Sequence, residues 1–175
     1  MKENVKRVLV LTIIVLVSSL SLYAYNLSVE SVLEAQEAAE LKEEINAIFP
    51  DAERFVQKDD IYYIYSDNGD LIGYAFEAIG KGYGGDISLL VGVNNDKDLT
   101  IKKVSVLSQS ETPGLGTRIT EDEFISQFNN KTIEAIKLRS NNGEIDAITG
   151  ATISSNAVVN AVYTEYKNKI KSIQR

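Results

Sequence analysis

Four hydroxyl side chains crowd one short stretch near the C-terminus, DAITGATISS, which begins at Asp146. The hydroxyl residues are Thr149, Thr152, Ser154 and Ser155, and they surround a single Gly-Ala pair. One interpretation is structural, because a Thr or Ser at the start of a last helix can cap its free N–H groups. The other is chemical. N–H groups at a helix start bind phosphate when small residues let it approach, and a hydroxyl there can be esterified by one.

The composition removes many other kinds of chemistry. The chain has no cysteine, which excludes disulfides, thiolate metal sites and Fe–S clusters. It has no histidine, so a Ser-His-Asp hydrolase is excluded and the commonest metal ligand is missing. The net charge of -7 argues against a nucleic-acid surface, which needs a basic patch. Chemistry must therefore come from a carboxylate, a hydroxyl or a bound cofactor.

The first 25 residues have the composition of a membrane segment. A basic flank containing Lys6 and Arg7 precedes an uncharged run from Val8 to Tyr25. As a helix this run would rise roughly 27 Å, close to the roughly 30 Å hydrocarbon core of a bilayer. A cleaved signal peptide has a similar pattern and is the alternative. We predict that residues 1–25 form a retained single-pass anchor in the inner membrane. The N-terminus would lie in the cytoplasm and the residues after the anchor on the periplasmic side.

Residues 26–50 have the pattern of an amphipathic connecting helix. Apolar residues recur near helical spacing, and Pro50 marks the end of the pattern. We expect this helix to continue the membrane span and to hold the following domain, residues 51–175, close to the bilayer.

Four strand-like segments follow in the order of a meander. They are IYYIYS from Ile61, LIGYAFEAIG from Leu71, ISLLVGV from Ile87 and LTIKKVSVLSQ from Leu99. Asn68-Gly69 predicts a tight turn between the first two. Such short connections favour an antiparallel sheet.

Shorter elements complete the predicted domain. Thr120 with Glu123 predicts a capped helix in TEDEFISQF, IEAIKLRS predicts one more strand, and a helix begins at about Ser155. In SETPGLGTRI, Pro113 and Gly114 predict the corners of a type II turn. The predicted class is α+β, with a single N-terminal transmembrane helix followed by an antiparallel-sheet domain with flanking helices.

The stretch from Asp146 to Thr152 resembles the flavinylation motif of the FMN-binding domain family: Asp, two residues, Ser or Thr, then Gly-Ala-Thr. GKGYGGDISLLVGV and SETPGLGTRI resemble the glycine-rich turn and the Glu-Thr-Pro-Gly-Leu-Gly loop of the same family. In that family a dedicated flavin transferase links FMN by a phosphodiester bond to the last Thr of the motif. The resemblance therefore implies FMN bound covalently to Thr152.

The resemblance implies roles for the other residues of the motif. Thr149, Gly150 and Ala151 would form the phosphate end of the flavin site, and Asp146 would help present it to the transferase.

The two upstream loops would lie nearer to the flavin ring. Leu115 would give apolar cover and Thr112 a polar contact, while Glu111 would either contact the flavin or brace its loop. Gly84-Gly85 stand where many relatives have an aromatic or bulky residue. Contact with flavin and a plain turn are therefore both open for the Gly82–Gly85 loop.

The chain as a whole resembles the G subunit of the Rnf electron-transport complex, and next to it the C subunit of the sodium-pumping NADH:quinone oxidoreductase. The first resemblance implies an electron-carrying subunit, rather than a catalyst alone, in a membrane complex that couples electron flow between ferredoxin and NAD to ion pumping. Its partners would be the membrane subunits and the flavin transferase. A stand-alone extracytoplasmic FMN module for electron transfer or sensing is a hypothesis of a different class.

Overall fold

In the computed structural model the chain divides into two compact units, Met1–Glu43 and Glu44–Arg175. Residues 2–170 and 173 are described, except for the side chains of residues 2, 4, 27–35, 37 and 38. A single helix, α1 (Lys2–Ile48), includes both the predicted membrane segment and most of the predicted connecting helix. It ends just before Pro50, as the sequence predicts.

The first unit contains one apolar helical segment. Val5–Asn26 comprises 22 residues with a mean hydropathy of 2.3, and its most apolar part is not buried. By length and composition it is the one helix, within the described part of the chain, that is able to cross a membrane. A signal sequence near the N-terminus has the same two properties.

The second unit is built on a five-stranded antiparallel sheet whose spatial order follows the chain. The strands are β1 (Arg54–Lys58), β2 (Ile61–Tyr65), β3 (Leu71–Lys81), β4 (Asp86–Asn94) and β5 (Ile101–Ser108). Gly69, with φ of 83°, lies in the turn between β2 and β3. The predicted α+β class and antiparallel meander are therefore confirmed.

The sequence analysis missed one strand and predicted another where none forms. The edge strand β1 was not predicted, because RFVQK is mostly exposed and has no regular apolar alternation. IEAIKLRS does not form a strand but two 3-10 turns, Ile133–Ala135 and Arg139–Asn141. Its apolar residues Ile133, Ile136 and Leu138 are nevertheless buried. The apolar pattern of this segment therefore indicated which residues are buried, but not their secondary structure.

The helices after the sheet begin at different residues from those predicted. A 3-10 helix (Gly116–Thr120) leads into the short α2 (Asp122–Ile125), which is followed by another 3-10 turn, Ser126–Phe128. The Thr120 hydroxyl donates to the carbonyl of Thr117 instead of capping α2. The last helix, α3 (Thr152–Lys169), begins three residues earlier than the predicted Ser155.

Glycines on opposite faces of the sheet allow two helices to approach it closely. A Cβ on Gly80 of β3 would lie 2.5 Å from the carbonyl oxygen of Ala157 in α3. On the other face, a Cβ on Gly92 of β4 would lie 2.3 Å from Cγ2 of Ile48, in the last turn of α1. The main apolar core lies between the sheet and α3, and it fixes the start of α3 relative to the strands.

We expect Gly80→Ala to destabilise the domain by roughly 1–3 kcal/mol, because the added methyl overpacks a contact with helix backbone that no side-chain rotation relieves. Ile79→Thr is the matched control, since Ile79 is the preceding residue of β3 and is 62% exposed. Urea unfolding of the detergent-solubilised chain, followed by circular dichroism, measures both variants. Equal stability of the two variants would contradict the close approach of α3 at Gly80.

Candidate functional site

A cavity in the second unit lies where two loops meet the start of α3. Its volume is about 530 Å³. The lining residues are Tyr83, Glu111, Thr112, Leu115, Gly116, Gly150, Ala151, Thr152, Ile153 and Ser154. Six of the residues predicted to hold a cofactor are among them: Glu111, Thr112, Leu115, Gly150, Ala151 and Thr152. The fold thus brings the Glu-Thr-Pro-Gly-Leu-Gly loop and the Gly-Ala-Thr motif to one cavity.

The Gly-Ala-Thr motif forms the entry to α3. Gly150 has φ of 82°, a conformation that favours glycine, and Ala151 is the residue that precedes the helix. Ala151 provides no side-chain cap, so the first N–H groups of α3 keep their donor capacity and the positive end of the helix dipole. Thr152 is the first helical residue, and its side chain is exposed at the cavity.

The loop opposite is the predicted type II turn. The N–H of Leu115 donates to the carbonyl of Thr112 at 3.2 Å, and Gly114 has φ of 76°. The N–H of Gly114 donates to the Thr117 hydroxyl at 3.0 Å, which fixes the far side of the turn. Leu115 is left 47% exposed at the cavity, with Cδ2 only 3.2 Å from the position that a Cβ on Gly150 would take.

Glu111 is a buried carboxylate, 5% exposed, that binds two other elements. It accepts a hydrogen bond from the N–H of Gly84 at 2.8 Å and another from the hydroxyl of Ser154 in α3. Burial raises the pKa of Glu111, but the bonds from Ser154 and from the N–H groups of Gly84, Tyr83 and Gly85 lower it, and the net pKa lies below its ordinary value. Glu111 therefore stays ionised, and its contacts brace the loops.

Glycines surround the Glu111 carboxylate because no side chain would fit there. A Cβ on Gly82 would lie 2.2 Å from Oε1, and a Cβ on Gly116 would lie 2.6 Å from Oε2. A Cβ on Gly84 would lie 2.0 Å from the carbonyl oxygen of Ser110. The glycine-rich loop thus has a structural requirement that is independent of any ligand.

The four hydroxyls of DAITGATISS have different surroundings. Ser155 is buried, donates to the carbonyl of Ala151 at 2.9 Å and accepts from the N–H of Ile148 at 3.0 Å. Ser154 is also buried and donates to Glu111. The structural interpretation of this stretch, in which a hydroxyl caps the free N–H groups of the last helix, is therefore wrong for both serines. Thr149 and Thr152 are exposed.

Asp146 and Thr149 lie outside the main cavity, in a smaller depression of about 150 Å³ that Arg118, Glu123 and Gln127 also line. Asp146 forms a bidentate ion pair with Arg139, with distances of 2.6 and 2.9 Å. That hydrogen bond and the positive charge lower the pKa of Asp146. The Asp146 backbone N–H also donates to Gln127 at 2.7 Å, so the carboxylate is held in a fixed and exposed position.

Besides Gly116 and Ser154, whose contacts with Glu111 are described above, two further residues of the cavity were not predicted as site residues, Tyr83 and Ile153. Both are exposed, by 74% and 57% respectively. Ile153 directly follows Thr152, and Tyr83 lies within the glycine-rich loop. A large apolar residue next to or within a motif was therefore the only sign of these two site residues in the sequence. Among the residues that the structure describes, no group of three or more acidic side chains is arranged to hold a metal ion.

Residues 82–166 match the FMN-binding domain family. The chain is 35% identical to the G subunit of the ion-translocating oxidoreductase complex of Methanosarcina acetivorans, over 93% of both chains. It is 36% identical to the G subunit of the proton-translocating ferredoxin:NAD(+) oxidoreductase complex of Clostridium ljungdahlii, over 77% of this chain and 75% of that relative.

Solved structures confirm the fold. The C subunit of the Na(+)-translocating NADH-quinone reductase from Parabacteroides distasonis superposes with a TM-score of 0.54 at 24% identity, over 66% of this chain and 63% of that chain. NqrC of Shewanella oneidensis superposes with a TM-score of 0.51 at 22% identity, over 71% and 73%. By its sequence relatives, the chain belongs to the family of G subunits of ion-translocating oxidoreductase complexes.

Proposed function

We propose that this protein is the FMN-carrying, electron-transferring subunit of a membrane-bound, ion-translocating complex that links ferredoxin and NAD, and that its FMN is attached through a phosphodiester to Thr152. The observation that carries this proposal is the placement of an exposed threonine at the uncapped start of α3, on the rim of a partly apolar cavity. The similarity of the chain to G subunits of such complexes also supports the proposal.

The cavity suits FMN in size and chemistry. Its volume of about 530 Å³ lies within the usual range of small-molecule sites. Leu115 and Ile153 present apolar surface of the kind that a flat aromatic ring system needs, and the hydroxyl of Thr112 offers a polar contact. When bound, FMN supplies the redox chemistry, and the protein contributes position and electrostatic environment.

The phosphate end of the flavin would lie at the start of α3. Gly150 and Ala151 leave room for close approach, and the uncapped N–H groups of the first turn would be free to donate to an anion bound there. Glu111 is the only charged residue among those lining the cavity in the described structure, and its oxygens already accept protein hydrogen bonds. Neutral donors and the helix dipole would therefore hold the phosphate without a lysine or arginine.

The linkage itself is an esterification of the Thr152 hydroxyl. Its Oγ1 forms a new bond to phosphorus and loses its proton, while a P–O bond of the flavin donor breaks and the leaving group takes up a proton. Relative to free FMN and threonine, the product lacks one water. Ser154 and Ser155 are poor competitors, because both hydroxyls are buried and already hydrogen-bonded. Thr149 is exposed but lies at the other depression, where we infer that it supports the turn before Gly150.

We infer that Asp146 takes part in recognition by a flavin transferase. Its carboxylate is exposed, six residues before Thr152, and is held in one position by Arg139 and by the Gln127 contact to its backbone. A fixed acidic group close to the Gly-Ala turn would give the transferase a point of attachment. Asp146 would take no part in holding the flavin ring.

We also propose that the N-terminal helix is a retained membrane anchor with the FMN-binding domain outside the cytoplasm. The basic flank containing Lys6 and Arg7 favours the cytoplasm, and Val5–Asn26 is long enough to span the bilayer. With one candidate span in the described residues, ion movement would take place in partner subunits. Covalent attachment would keep the flavin on a protein whose domain lies outside the cytoplasmic flavin pool.

Protease added to spheroplasts should digest the domain, because the proposed topology places residues after about 26 outside the cytoplasm. Cytoplasmic marker proteins in the same sample should survive, and detergent should expose them. A mature protein that is soluble and begins near residue 22 would instead establish the segment as a cleaved signal peptide.

Thr152→Ala should abolish covalent flavin. The chain is expressed with a flavin transferase, denatured, and viewed on a gel under ultraviolet light. Wild type should fluoresce, with the mass of FMN less one water on the peptide that contains Thr152. Thr149→Ala is the exposed matched control and should stay fluorescent, as should Ser154→Ala and Ser155→Ala. A fluorescent Thr152→Ala band, or wild type that loses all its flavin on denaturation, would contradict the covalent linkage.

Leu115→Asp should lower the reduction potential while flavin stays attached. A carboxylate beside a ring that becomes anionic on reduction disfavours the reduced form, and an interaction of about 1 kcal/mol corresponds to roughly 20–40 mV. Leu115→Asn is the matched control, because Asn is similar to Asp in size and polarity but carries no charge. It should change the potential less than Leu115→Asp does. Redox titration of the flavinylated protein measures both. An unchanged potential in a folded Leu115→Asp protein would place this loop away from the ring.

A further inference from the structure

We propose that Tyr83 forms an outer wall of the flavin site by stacking its ring on the isoalloxazine, and that Glu111 is the positioning residue that holds Tyr83 there. This inference rests on the proposed attachment of FMN to Thr152. It assigns a role to the glycine-rich loop, for which the sequence leaves both flavin contact and a plain turn open.

The distribution of exposed apolar side chains points to the cavity. Five large apolar residues of the described second unit are exposed: Val56, Ile79, Tyr83, Leu115 and Ile153. The last three line the cavity, and Tyr83 is the most exposed of the five, at 74%. A cluster of exposed apolar residues around a concave site is the usual mark of a ligand surface, whereas single ones such as Val56 need no explanation.

The backbone that carries Tyr83 is fixed. The Gly82 N–H donates to the carbonyl of Gly85 at 2.8 Å, and the Gly84 N–H donates to Glu111 at 2.8 Å. Lys81 and Asp86 close the base of the hairpin with an ion pair of 2.6 Å. Because the turn is already ordered, placing the ring over a ligand immobilises little more than one side chain.

Tyrosine suits this position chemically. Its ring stacks well on another flat aromatic system, and its hydroxyl stays in water at the exposed edge of the site. Leu115 and Ile153 provide aliphatic walls, and Thr152 fixes the phosphate end, so Tyr83 would be the aromatic contact of the cavity.

The test is the fluorescence lifetime of the attached flavin in the native protein. A stacked phenol quenches an excited flavin by donating an electron, so Tyr83→Leu should lengthen the mean lifetime several-fold. Tyr83→Phe keeps a stacking ring that donates poorly, so it should also lengthen the lifetime but retain the wild-type flavin absorption spectrum. Tyr163→Leu is the matched control, since Tyr163 lies eleven residues beyond Thr152 in α3, roughly 16 Å along the helix.

Glu111→Gln tests the positioning role. It should lengthen the lifetime in the wild-type background and have no further effect in the Tyr83→Leu background, because Glu111 would act through Tyr83. Equal effects in both backgrounds would overturn that role. An unchanged lifetime in a flavinylated Tyr83→Leu protein would overturn the stacking. Failure of the proposed function is seen separately, as wild type with no flavin on the denaturing gel.

Discussion

The buried carboxylate of Glu111 is the constraint on which the arrangement of the site depends. An ionised group taken out of water is strongly unfavourable unless it is hydrogen-bonded. Glu111 satisfies this condition with donors from the β3–β4 hairpin and from Ser154 in α3, and it lies itself in the loop before Pro113. Leaving such a buried group without one partner costs roughly 1–3 kcal/mol or more, so each contact to Glu111 stabilises all three elements.

The Glu111 carboxylate and the packing of α3 together explain why several positions around the site are glycines. Gly82 and Gly116 are glycines because a Cβ would collide with the Glu111 oxygens, and Gly80 is a glycine because α3 lies against β3. Sheet packing therefore sets the position of α3, and Glu111 sets the loops around its first turn. Thr152 stands at the point where these two constraints meet.

Sequence patterns predicted the local features and missed the long-range ones. The turn at Gly69 and the type II turn at Gly114 followed from residue preferences that act within four residues. The pairing of Glu111 with Ser154 joins residues 43 apart, and no local pattern indicates it. The start of α3 at Thr152 was missed for a related reason: the Ser154 hydroxyl, a candidate cap, donates to the distant Glu111, and the Ser155 hydroxyl bonds the backbone of Ile148 and Ala151. The motif resemblance located Thr152, but only the fold brought Tyr83 and Ile153 to the same cavity.

The electrostatics of the cavity give a physical reason for an ester rather than a free phosphate. A phosphate monoester carries about -1.5 to -2 charges at neutral pH, whereas a diester carries one. Glu111 is ionised beside the cavity, and the described lining residues include no cation to offset a dianion. A helix start offers only about half a positive charge, which suits a monoanion better. Esterification of Thr152 would thus lower the charge to one that the site can hold, and would replace the missing cation with a covalent bond.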